Sequence, residues 1–62
     1  DPLDDKAVDR VLRERRATIS FVQRHLGVGY NRAANLLEAM EEARIVSKAN
    51  SMGRREILVP EN

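Results

Sequence analysis

Residues 20–44 read SFVQRHLGVGYNRAANLLEAMEEAR, and the fold turns on how this stretch is parsed. Phe21, Val22 and Leu26 recur at helical spacing, then Gly27-Val28-Gly29 interrupts the pattern. Ser20 with Gln23 three residues on has the form of a capping box, so a helix is expected to begin there. Gly27 is placed to end it in a left-handed conformation, and Val28 to plug the core between two helices. A further helix is expected to open at Gly29 or Tyr30 and run to about Ala43. At about 100° per residue, Tyr30, Ala33, Ala34, Leu36, Leu37 and Met40 share one face, while Asn31, Asn35, Glu38 and Glu42 share the other. The arrangement is a helix-turn-helix, whose second helix is presented to a DNA major groove.

The flanking sequence completes a recognisable order. Pro2 suits a helix start, and acids follow it where the helix dipole favours them. Leu3, Ala7, Val8, Val11 and Leu12 mark a first helix from about Leu3 to about Arg15. Within it Asp5 and Asp9 repel weakly, while Asp9 and Arg13 attract. Ala17-Thr18-Ile19 reads as an extended link with a stub of strand. After the last helix, Arg44-Ile45-Val46-Ser47 and Arg55-Glu56-Ile57-Leu58-Val59 read as two strands. They are joined by the turn-forming loop from Lys48 to Gly53 and stopped by Pro60. The expected fold is therefore α+β and mainly α. It is a winged helix-turn-helix, with three helices plus a small β-hairpin whose loop is the wing, and residues 1–62 form one domain.

Composition limits the function. A chain of 62 residues builds one small core, and without cysteine it has neither disulfide nor thiolate metal site. His25 is the lone histidine, so a metal centre is not expected. No Gly-rich phosphate loop and no Ser/His/Asp set is present, and Glu41-Glu42 reads as a solvated pair on a helix. Neither an enzyme nor a cofactor is expected. No apolar run approaches the ~20 residues that span a bilayer, so this domain is not expected to touch membrane. The chain opens on Asp with no signal-peptide pattern, and is read as a piece cut from a longer cytoplasmic protein. The net charge is only +1, yet Arg15, Arg16, Arg24 and Arg32 fall in a stretch, residues 15–35, that holds no acid. Such clustering suits phosphate binding.

The candidate site follows from these patterns. Asn31, Asn35 and Glu38 stand at i, i+4 and i+7, one line along the last helix. Asn pairs bidentately with adenine, and a carboxylate accepts from the cytosine amino group. Glu38 repels phosphate, which fits a base reader better than an electrostatic binder. Arg32 lies beside the line, suited to a phosphate or an edge base. Gln23 and Arg24 on the preceding helix, and Lys48, Arg54 and Arg55 about the wing, are candidates for backbone or minor-groove contacts.

VQRHLGVGYNRAANLLEAMEEARIV followed by NSMGRREILVP closely resembles the C-terminal gamma domain of FtsK-type bacterial DNA translocases, from DPL at the start to ILVP. GYNRAA with an upstream VQR and a downstream REILVP is a string that generic winged helices do not share. The resemblance implies a winged helix that binds short, G-rich, non-palindromic duplex sites, which orient the motor on the chromosome. It also implies contact with a XerD-type recombinase, several copies of the domain on one DNA site, and a parent that is an ATP-driven translocase anchored in the inner membrane. The family's base-reading positions correspond to Asn31, Asn35 and Glu38. Position 35 is usually Arg there, so Asn35 either shifts the preferred base or leaves the guanine contact to another Arg. Arg32 matches the family's NRAA and Arg55 its REIL segment, whereas Arg54 is an added basic residue. Two other functions fit the same residues: a module that mainly docks the recombinase, or a transcription-regulator domain. The latter predicts two-fold dimers, for which these residues offer no dimerisation helix.

Overall fold

Each apolar periodicity becomes one helix. The computed structural model describes residues 2–61, with side chains from Asp4 to Glu61, so the side chain of Leu3 lies outside the described residues. The helices are α1 (Pro2–Glu14), α2 (Ile19–Leu26) and α3 (Tyr30–Glu42). Together they make a compact three-helix domain. Ala7 and Val11 of α1, Phe21 and Val22 of α2, and Ala33, Leu36, Leu37 and Met40 of α3 close on one another with Ala17 and Val46. Small residues at positions 7, 17 and 33 let the backbones approach, which is how a core without a large aromatic cluster reaches close packing. Val28 is half-buried against this cluster, as its place between two helices requires.

The entry to α2 differs from expectation. Thr18, not Ser20, is the N-cap: its Oγ1 accepts a hydrogen bond from the Phe21 amide at 3.1 Å, and Ser20 sits exposed in the first turn. Both residues can cap, so local chemistry does not choose between them. Burial of Ala17 does, because it holds the chain so that the helix starts at once and Phe21 and Val22 swing inward. The strand stub at residues 17–19 is absent for the same reason. Residues 16–18 are a short link, and Ile19 is already helical.

All three helices leave through a left-handed residue. Gly27 does so at φ +67, with the Gly27 and Val28 amides donating to the Gln23 carbonyl. Arg15 (φ +57) and Arg44 (φ +61) take the same conformation after α1 and α3. There the amides of Arg16 and Ile45 reach back to the carbonyls of Val11 and Met40, at 3.2 and 2.9 Å. These are Schellman-type ends built on arginine, each costing on the order of 1 kcal/mol relative to glycine.

The hairpin is also slighter than expected. Among the described residues there is no strand, only an isolated antiparallel bridge between Val46 and Ile57. It is flanked by bonds from the Ser47 amide to the Glu56 carbonyl and from the Leu58 amide to the Ile45 carbonyl, both 2.8 Å. Neighbouring groups stop the ladder at both ends. The Ile45 amide is already engaged by the helix end. On the other side Ser47 Oγ takes the Glu56 amide, and the Ser47 carbonyl accepts from Arg55 instead. The two segments keep hairpin register without forming strands.

Candidate nucleic-acid interface

α3 carries the expected division. Ala33, Leu36, Leu37 and Met40 are buried, and Asn31, Asn35 and Glu38 are exposed. Their line spans about 10 Å of helix, the axial length of about three base pairs. Among the described residues, no side-chain hydrogen bond or ion pair ties Asn31, Asn35 or Glu38 down. Their amide and carboxylate groups are thus presented without a competing internal partner. Arg32 is exposed beside them.

Tyr30 departs from its expected place on the core side. It is 61% exposed at the first position of α3. The core beside the turn is made by Val28, half-buried, and Ala33, fully buried, and Tyr30 is not part of it. The start of the helix is open as well. Gly29 is the N-cap and supplies no side-chain hydrogen bond, and no acid stands in the first turn. The amides there, with the positive end of the helix dipole, form a place where an anion is favoured. The glycine at the cap position was the signal for this, but it reads equally well as part of the turn.

The basic residues divide into two kinds. Arg24 on α2 and Lys48 and Arg54 on the loop are exposed, and their side chains form no ion pair among the described residues. Gln23 is half-buried beside Arg24. Arg55 is different. Its Nη1 lies 2.7 Å from Glu41 Oε1 and donates to the Ser47 carbonyl at 3.2 Å. Only 11% of its side chain is exposed. Glu41 is therefore not half of a solvated pair with Glu42; it anchors the hairpin base to α3. The pairing joins residues 14 apart and leaves no local pattern in the sequence. By contrast the expected Asp9–Arg13 pair is present at 3.3 Å on the surface of α1, where such a pair contributes little.

This clamp yields a direct prediction. Arg55→Ala leaves Glu41 and the Ser47 carbonyl without their charged donor, and stability is expected to fall by ~1–2 kcal/mol. Hydrogen exchange should quicken at the Ser47 and Leu58 amides before it does in α1. Unchanged exchange at both amides would show that the clamp does not hold the hairpin.

Comparison with known proteins places the chain in one group. The family model described as "Ftsk gamma domain" matches residues 1–60. The chain is 65% identical over 60 residues to DNA translocase FtsK 2 of Ralstonia nicotianae, covering 97% of this chain and 8% of that protein. It is 61% identical over 56 residues to DNA translocase FtsK of Rhizobium meliloti, covering 90% of this chain and 6% of the relative. With DNA translocase FtsK of Pseudomonas syringae pv. tomato the identity is 57% over 60 residues, covering 97% of this chain and 8% of that protein. The chain thus spans less than a tenth of the length of these relatives.

Proposed function

The chain belongs to the FtsK gamma domain family, and from that premise we propose that it is the duplex-DNA-reading module of a chromosome-segregating DNA translocase. It binds a short, G-rich, non-palindromic site as a winged helix, with α3 in the major groove and the 48–54 loop as the wing. The observation that carries this is the exposed line Asn31–Asn35–Glu38 backed by a buried opposite face. Asn31, Asn35 and Glu38 read base edges, with Arg32 at the edge of the line. Lys48, Arg54, Arg24 and Gln23 face the sugar-phosphate backbone, and the open amides of α3 with the Tyr30 hydroxyl take a phosphate. Arg55 serves the wing by fixing its base to Glu41. The domain performs no catalysis; ATP-driven movement belongs to other parts of the parent protein, with this piece on the cytoplasmic side of the inner membrane. Within the described residues no helix is long and apolar enough to cross a membrane.

Selection from a random duplex library, followed by anisotropy on the selected and scrambled duplexes, tests the proposal. A clear preference for one non-palindromic sequence is expected, and equal affinity for both duplexes at moderate salt would defeat it. Lys48→Ala and Arg54→Ala should each weaken binding to every duplex. Each should also lower the slope of log K against log salt by about 0.9, as the loss of one phosphate contact requires.

A second role, docking of a XerD-type recombinase, is favoured by a groove at the other end of α3. Val8, Leu36, Ala39, Met40, Ala43 and Ile45 line it, with Asp4 at its edge. Titrating DNA and recombinase separately tells the roles apart, with the Asn31 and Asn35 amides followed by NMR for reading and the Ala39 and Ala43 amides for docking. If only the recombinase shifts them, docking takes precedence over reading.

A further inference from the structure

The loop that would form the wing is closed by one residue. Asn50 Oδ1 accepts from the amides of Met52 and Arg54 at 2.9 and 3.0 Å. The Asn50 amide donates to the Arg54 carbonyl at 2.8 Å, and the Asn50 carbonyl accepts from Gly53 at 2.9 Å. Gly53 sits at φ +76, where a side chain would strain the turn. Asn50 and Gly53 thus supply the turn chemistry, and nothing in the loop's conformation calls for Met52, one of the two residues between them, to be apolar. Yet that region holds Met52, 74% exposed, the most exposed large apolar side chain among the described residues. Lys48 and Arg54 flank it, both exposed and without an ion pair among the described residues. A single exposed apolar residue is unremarkable by itself. One held at the apex of a hydrogen-bonded loop, between two uncompensated cations, is matched to a partner that is anionic at its rim and less polar within.

We propose that Met52 enters the minor groove of the bound duplex beside the bases read by α3, where its thioether packs on the deoxyribose walls. Lys48 and Arg54 then sit over the phosphates on either side. The inference rests on the proposed DNA binding and adds to it a contact that is apolar and therefore insensitive to salt. An unbranched methionine suits the narrow groove because it is slim and conforms to its surroundings. Apolar side chains in this groove commonly press on base steps and sugars.

The chain contains two methionines, which makes the test clean. Met40 is buried in the core and serves as an internal reference for Met52. With 13C-methyl-labelled methionine, the library-selected duplex should shift the Met52 methyl resonance and give contacts from it to deoxyribose protons, while Met40 stays in place. Met52→Ala should weaken binding about tenfold, the scale of one buried thioether side chain, with the salt slope unchanged. If the α3 amides shift on adding DNA while the Met52 methyl does not, and Met52→Ala binds as the parent does, the wedge is overturned and DNA reading survives. If neither responds to the duplex, both are overturned. A Met52 methyl that moves only with a protein partner also overturns the wedge.

Discussion

Asn31→Ala combined with Glu38→Ala is expected to leave the domain folded and still bound to DNA, but with most of its sequence preference lost. Both side chains are exposed on α3 and support no core contact, so the melting temperature should hardly move. Each base contact is worth roughly 1–3 kcal/mol of discrimination. The two positions lie about 10 Å apart along the helix, so their losses should add, giving roughly 2–6 kcal/mol in the double variant. The signs make the test sharper. In the proposed complex Glu38 faces a polyanion, so its removal should weaken the selected duplex while strengthening, or leaving unchanged, binding to a scrambled one. A general loss on both duplexes would mean that Glu38 holds structure and does not read a base. Competition anisotropy with both duplexes at one salt concentration measures all of this.

Leu37→Ala should have the largest effect on the fold. Leu37 is fully buried, the largest such side chain among the described residues, on the face of α3 opposite the polar line. Removing a buried leucine costs about 2–5 kcal/mol, depending on how far the surroundings collapse into the cavity. A domain of 62 residues has roughly 3–9 kcal/mol in total. The variant is therefore expected to be partly or largely unfolded at 25 °C. Urea unfolding followed by circular dichroism would show it as a lowered midpoint with a similar slope. A midpoint near that of the parent would mean that the helices can repack without this side chain, and that α3 is less firmly seated than its burial implies.

The contrast between these two outcomes comes from neighbouring residues on one helix, and that division was readable from the order of residues. Period-3.6 patterning needs no partner to be recognised, so the apolar and polar faces of α3 could be drawn before any fold was known. Gly27 as a helix stop was equally plain, since few residues adopt positive φ easily. Arg15 and Arg44 could not be found that way. They take the same conformation against their preference, because the amides that follow them gain the carbonyls of Val11 and Met40.

The remaining differences share one cause. Ser20 and Thr18 are equivalent as caps until Ala17 is buried. Tyr30 falls on the apolar side of a helical wheel but stands at the first turn of α3, outside the cluster that Val28 and Ala33 join. The β-rich segments at residues 44–47 and 55–59 carry strand composition. Their backbone groups are nonetheless shared with a helix end, a serine hydroxyl and an arginine, so one bridge is all that forms.

Helix number, helix order and the outward line of Asn31, Asn35 and Glu38 were set by spacing along the chain, because burial of a periodic apolar stripe is a local pattern with one good solution. Which basic residues stay available was settled only when the chain closed on itself. Arg54 and Arg55 are adjacent and chemically identical, yet Arg54 is left to solvent while Arg55 is drawn onto Glu41. An ion pair between distant residues depends on where packing brings its two ends, and no one-dimensional pattern encodes that distance.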